Sequence, residues 1–303
     1  MWTAFPPSLK VDNTFFATMN ESEQPKEKIA WILAGGAART VYTAGSLYAV
    51  CQLHPIQPDI IIACSGSAAT SLCYVTGQHE TIKNVWCKAL STKKFVNFLR
   101  FWKVVDIDYL IDTVLKKDNP LDMAKVATSP IKILFPLTNS KTGQLEYFSN
   151  TDAVDTWEVL RAAKSVPFFT NLFHIQGVTI NGKDYSDSTA SASYQPHVAK
   201  AIQEGATKIL IFDSWHAEDN RGNLLFSKFL AKVRNKTFRK NQLAYIQQIA
   251  HFVPPPNVAL TYLIPKTNLN MAPWDIDNAN ANTVFTRGYN DTLQNEALRA
   301  FLQ

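Results

Sequence analysis

The chain turns on Ile60-Ile61-Ile62-Ala63-Cys64-Ser65-Gly66-Ser67-Ala68-Ala69-Thr70, where a β-branched run breaks into small residues and then into a helix-compatible segment. Consecutive apolar residues without alternation suit a strand buried on both faces of a parallel sheet. The switch to Ser, Gly and Ala suits a sharp strand-to-helix turn that leaves one hydroxyl exposed. In its usual form, G-x-S-x-G, such a nucleophile elbow flanks the serine with small residues, because a larger Cβ would collide with the neighbouring strand or helix. Around Ser65 the flanks are Ala63 and Ser67; a second register, with Ser65 and Ala69 as flanks, makes Ser67 the alternative nucleophile.

A buried parallel strand needs parallel neighbours joined by helices, and the rest of the chain supplies them. Strands are expected at 29–33, 131–137, 144–148 and 208–213, with short ones on either side of the Asn181-Gly182 turn and another at 258–264. Helices are expected at 41–53, through 78–115, from a cap at Thr151 or Asp152 to Ala163, at 196–205, and from about 283 to 302. The fold class is therefore α/β, a mostly parallel central sheet covered by helices on both faces. With 303 residues and 46% hydrophobic content the chain can bury a sizeable core. Residues 1–28 read as an N-terminal arm packed by Phe15 and Phe16, and 29–303 as the folded domain, with a basic helical segment at 221–252 and a C-terminal strand and helix at 258–303. No Sec-type signal peptide or membrane-spanning run is read. Cys51, Cys64, Cys73 and Cys87 lack C-x-x-C spacing and fall on buried elements, which favours free thiols and a reducing, cytoplasmic compartment; export by another route stays open.

The first strand ends in Ala34-Gly35-Gly36-Ala37-Ala38-Arg39 before a helix. Strand, glycine turn and helix N-terminus together aim backbone N–H groups at an anion, either a phosphate or an oxyanion. The chain has neither G-x-x-x-x-G-K-[ST] nor G-x-G-x-x-G, which argues against a nucleotide. The net charge of +5 comes without a recognisable nucleic-acid module, and His, Cys and Asp lack metal-ligand spacing, so neither nucleic acid, metal nor other cofactor is expected.

These motifs together resemble the patatin-like phospholipase family, whose G-G-G-x-[RK]-G loop, G-x-S-x-G elbow and D-G-[GA] turn occur in this order. The resemblance rests on Gly35-Gly36-Ala37-Ala38-Arg39, on the elbow, and on Tyr185-Ser186-Asp187-Ser188-Thr189. It extends through Ala162 to Phe169 and through the tail from Pro254-Pro255-Pro256 to Gly288-Tyr289. An ungapped match to D-x-x-x-G-x-S-x-G-A anchored on Asp59 selects Ser65 over Ser67. Family glycines are replaced by Ala37 and Thr40, by Ala63 and Ser67, and by Ser188 and Thr189.

The resemblance implies a lipid acyl-ester hydrolase of phospholipase A or lysophospholipase type with a Ser-Asp dyad. Ser65 would attack, Asp187 would take its proton, and the loop Gly35, Gly36, Ala37, Ala38 and Arg39 would form the oxyanion site, with Gly36, Ala37 and Ala38 supplying N–H donors. Two alternatives stand beside it. One is a catalytically weak or inactive lipid-binding relative; the other is a Ser-His-Asp α/β-hydrolase using Ser65, Asp187 or Asp213, and His216 or His251. An activating protein partner is left open.

Two stretches suggest an anionic membrane surface as partner, with core packing under snorkelling lysines as the equal alternative for the first. Lys93 to Lys103 interleaves cations with large aromatics, among them Phe98 and Trp102, and from Arg221 to Lys240 the chain carries cations, including Lys228, Lys232 and Lys236, without an acid. Peripheral membrane association is the expectation.

Overall fold

A computed structural model describes residues 27–53, 57–187, 189–216 and 221–302; the expected arm with Phe15 and Phe16 lies outside them. At the centre is β1 (Ile29–Leu33), buried along its whole length and parallel to both its neighbours, β2 (Ile60–Ala63) and β7 (Lys208–Phe212). β3 (Lys132–Asn139) continues the parallel array beside β2, and β8 (Ala259–Leu263) beside β7. Three antiparallel strands complete the eight: β4 (Leu145–Ser149) and β6 (Lys183–Ser186) pair with β3, and β5 (Val178–Ile180) pairs with β6.

Strand side chains alternate between two cores, which is why the central strands show no polar face. Trp31, Ile61, Ile133 and Phe212 point into the larger core, under α1 (Thr40–Gln52), α2 (Ser67–Val75) and α10 (Asn278–Leu293). Ala30, Ile32, Ile60, Ile62, Ile209 and Ile211 face the smaller one, covered by α7 (Gln195–Gln203) together with Phe252 and Tyr262. Each fully buried isoleucine or phenylalanine contributes roughly 1.5–3 kcal/mol. The mostly parallel sheet with helices on both faces is thus the architecture found. All four cysteines are buried and unpaired.

The structure departs from expectation where tertiary hydrogen bonds decide. The stretch 78–115 is not one helical region. α3 (His79–Asn84) passes into a wide turn at Val85–Ala89, and residues 90–106 then run irregularly, closed by a Val96–Val105 bridge, before a helical stretch that begins at 107 and continues as Tyr109–Asp118. The Arg100 guanidinium organises this loop, bonding Asp106 and the carbonyls of Lys94 and Phe95, so backbone that a helix would have paired is satisfied by a side chain. After α4 (Met123–Ala127), the cap of α5 (Thr156–Ala162) is Asp155, which accepts the Trp157 N–H, whereas Asp152 accepts the Ser149 N–H in a turn. α6 (Thr189–Ala192) follows the strand pair β5 and β6. The basic segment divides into α8 (Arg221–Val233) and α9 (Lys236–Ala250), because Asn235 caps the second by accepting the Phe238 N–H. In the same way Asn295 accepts the Leu298 N–H and separates α10 from α11 (Glu296–Leu302).

Candidate active site

The carboxyl ends of β1, β2 and β7 share one edge of the sheet, and the loops that leave them build the site. Ser65 follows β2 in a left-handed turn with φ of 48°, and its Oγ donates to Asp187 Oδ2 at 2.5 Å. That length suits a hydroxyl bonded to a carboxylate. Asp187 follows β6; its N–H donates to the Ser165 carbonyl at 3.0 Å, and its Oδ1 accepts from Ser191 Oγ at 3.2 Å. Both carboxylate oxygens are therefore oriented. Ser67, the alternative nucleophile, is fully buried and donates to the Ala34 carbonyl at 2.6 Å, so its hydroxyl ties α2 to the end of β1. Gly35 is required for contact: a Cβ there would lie 2.7 Å from Ser65 Cβ and 2.8 Å from Ala192 Cβ.

The glycine loop has less to offer an anion than its sequence suggests. The Gly35 N–H is bonded to the Ala192 carbonyl, the Ala38 N–H to Pro273, and the Arg39 N–H to Gly36. Those of Gly36 and Ala37 make no hydrogen bond among the described residues, and Ala37, with φ of 51°, lines the same cavity as Ser65. Arg39 is buried outside that cavity. Its guanidinium bonds the carbonyls of Met271 at 3.1 Å and Ser214 at 3.3 Å and stacks on Trp215 at 4.2 Å, bracing the loop from behind.

The cavity beside Ser65 holds about 760 Å³ of empty space, part of it open solvent at the mouth. Val41, Trp86, Leu90, Phe95 and Ile107 give it an apolar wall suited to an acyl chain. Lys164 and Asp275 bring charge to its lining, and sequence reasoning missed both. Lys164 is buried and donates to the carbonyls of Ser65 at 2.9 Å and Gly66 at 3.1 Å, and burial pushes its pKa down to about 8. The available signal was a lysine between Ala162-Ala163 and Val166-Pro167, where every neighbour but Ser165 is apolar.

The Ser-His-Asp alternative finds no support in this geometry. The single Ser65 hydroxyl proton is engaged with Asp187 rather than with His216 or His251, and His251 is exposed where α9 ends. Asp213, at the end of β7, accepts the Trp215 N–H, and burial pushes its carboxyl up to about 7. Among the described residues the buried histidine is His197. Its Nε2 meets the Ser191 carbonyl at 3.0 Å, so that nitrogen carries the proton, and Tyr147 donates to Nδ1 at 2.7 Å; burial pushes its pKa down to about 4. Among the described residues no three His, Cys, Asp or Glu cluster as a metal site would require.

Of the two stretches expected to meet a membrane, the first contributes to the cavity wall. Phe98, Leu99, Phe101 and Trp102 are exposed on the irregular 90–106 segment, which also contributes Phe95 and Val96 to the cavity. The Leu172 N–H donates to the Trp102 carbonyl at 2.9 Å, joining exposed Leu172 and Phe173 to that segment. Leu225, Phe229 and Val233 form an exposed stripe on α8 with Lys228 and Lys232 beside it, and Phe229 meets Phe168. Lys236 is exposed at the start of α9. Among the described residues no helix is long and apolar enough to cross a membrane.

No curated protein matches the chain. Among solved structures, the crystal structure of VipD from Legionella pneumophila shares the fold, with a TM-score of 0.50 at 13% identity over 91% of this chain and 67% of that one. The family model for patatin-like phospholipases matches residues 32–199, from β1 through the elbow and Asp187 into α7. With more than half of its length matched, the chain belongs to the patatin-like phospholipase family.

Proposed function

We propose that the chain is a serine acyl-ester hydrolase acting on lipids, of phospholipase A or lysophospholipase type, working through a Ser65–Asp187 dyad. The observation that carries this reading is the 2.5 Å hydrogen bond from Ser65 Oγ to Asp187 Oδ2 at the wall of an apolar cavity. Asp187 takes the hydroxyl proton as Ser65 Oγ attacks the ester carbonyl. The N–H groups of Gly36 and Ala37 receive the oxyanion, and the acyl chain lies along Trp86, Leu90 and Phe95. Asp187 returns the proton to the leaving alcohol, and water, activated in the same way, releases the acid from the acyl-serine. The chemistry needs no cofactor.

The reading includes a cytoplasmic protein that docks reversibly on anionic membranes. Burial of all four thiols without a disulfide supports the compartment, and the apolar rim with flanking lysines supports the docking.

A fluorophosphonate probe tests the dyad. Wild type should be labelled at Ser65; Ser65→Ala should abolish labelling and esterase activity, Ser67→Ala should only weaken them, and Asp187→Asn should remove turnover with the fold kept. Labelling that survives Ser65→Ala and is lost in Ser67→Ala would reverse the choice of serine. An unlabelled wild type that still binds lipid would make the chain a non-catalytic relative.

A further inference from the structure

We infer that Lys164 is a positioning residue of the elbow: with Ser165 it locks the nucleophile and its base into one unit. The inference rests on the Ser65–Asp187 reading and adds a residue to it.

The dipeptide Lys164-Ser165 touches both halves of the dyad. The Lys164 ammonium donates to the carbonyls of Ser65 and Gly66, and the Ser165 carbonyl accepts the Asp187 N–H at 3.0 Å. A shift of this segment therefore moves the serine and the carboxylate together. The elbow requires such a hold, since Ser65 has φ of 48°, a conformation that side-chain-bearing residues rarely adopt. One charge-assisted hydrogen bond holds its carbonyl and a second holds that of Gly66, so the ammonium fixes both peptide planes of the turn. Ser65 O also accepts the Ala68 N–H at 3.1 Å, in the first turn of α2, so the clamp ties the turn to the helix start.

The charge of Lys164 has a second effect. The titratable groups that face it are Asp187, which favours its charged form, and the Cys73 thiol of α2, which burial pushes up to about 12 and so keeps neutral across the working range. An ammonium there favours the Asp187 carboxylate that must accept the serine proton. Burial brings loss of that ammonium down to about pH 8, and the neutral amine no longer makes charge-assisted bonds to the Ser65 and Gly66 carbonyls, so the clamp should weaken and activity fall on the alkaline side.

The test compares full-length wild type, Lys164→Met and Lys164→Arg on a soluble nitrophenyl ester across pH, together with amide exchange of the peptide spanning the elbow. Lys164→Met should lower kcat by about 10²-fold with KM within about threefold, and the elbow should exchange faster. Lys164→Arg, which keeps charge and donors, should retain kcat within about tenfold and lose the alkaline fall. A Lys164→Met enzyme within about threefold of wild-type kcat would overturn the inference, as would an alkaline limb unchanged in Lys164→Arg. If Lys164→Met fails to fold by circular dichroism, the Lys164→Arg profile decides. If wild type neither hydrolyses ester nor takes the probe, the proposed function fails by itself, and amide exchange alone decides the clamp: unchanged exchange in Lys164→Met refutes it.

Discussion

Two aspartates stand at the same edge of the sheet, and their surroundings separate their roles. Asp187 receives hydroxyl donors from Ser65 and Ser191, whereas Asp213 receives backbone N–H and is otherwise buried. Burial raises the Asp213 carboxyl from 3.8 to about 7, only partly countered by bonds from Trp215 and Ser214 and by Arg39. A pKa raised by folding contributes stability that is fully present below 3.8 and is lost as pH rises through about 7. The full effect is of the order of ~4 kcal/mol as an upper figure. Asp213→Asn should therefore raise the melting temperature above wild type at about pH 8, with the advantage shrinking towards about pH 4. His197 works in the opposite sense, since its contribution is lost as pH falls from 6.5 towards about 4, so the difference between variant and wild type isolates the aspartate. Esterase activity should stay within a few-fold. A melting advantage independent of pH, read by scanning fluorimetry, would show that ionisation of Asp213 is not the cause.

At the scale of elements, α1 and α10 pack with no room for a side chain between them. A Cβ on Gly45 would lie 2.1 Å from the Phe285 carbonyl oxygen, and one on Gly288 would lie 2.2 Å from that of Tyr42. Backbone meets backbone there, and α1 carries the glycine loop at its start. Gly45→Ala or Gly288→Ala should push the helices apart and destabilise by ~2–3 kcal/mol, a drop of roughly 5–10 °C in Tm. Melting temperatures within about 1 °C of wild type would show that the pair can separate without loss. This contact was not legible in the sequence, because a mid-helix glycine reads only as a weak helix former. The central strands were legible, because Ile29 to Leu33, Ile60 to Ala63 and Ile209 to Phe212 are buried on both faces and show it as unbroken apolar runs. Caps at Asp155 and Asn235 depended on a choice among several capping residues close together, which local pattern does not make. Ser65 and Asp187 could be picked out because each sits in a motif. Lys164 could not, since its partners lie 99 and 98 residues away and only the folded sheet brings them within reach.

For the whole molecule, the distribution of exposed apolar surface bears on where substrate comes from. Leu99 is 89% exposed and Phe173 81%, values unusual for large apolar side chains, and they extend from segments joined by the Leu172 to Trp102 hydrogen bond. α8 buries Ser227, Leu230 and Ala231 and leaves Leu225, Phe229 and Val233 outside with Lys228 and Lys232, so its apolar residues are divided between core and solvent. An exposed apolar stripe edged by lysines suits the headgroup boundary of an anionic bilayer, where each cation near the surface adds ~1 kcal/mol. Because Phe95, Val96 and Val105 of the neighbouring segment line the cavity, docking by this rim would set the cavity mouth against the lipid. Binding to vesicles in a flotation assay should accordingly rise with anionic lipid and fall with salt. Changing Lys228, Lys232 and Lys236 together to Glu should remove the dependence on anionic lipid, while Leu99→Ser with Phe173→Ser should weaken binding to every vesicle. Both variants should hydrolyse a small soluble ester at the wild-type rate, since neither set of residues touches the dyad. Equal binding of wild type to neutral and anionic vesicles at low salt would mean that the lysines face something other than a membrane, and a soluble-ester rate that falls with vesicle binding would mean that the rim supports the cavity rather than the docking.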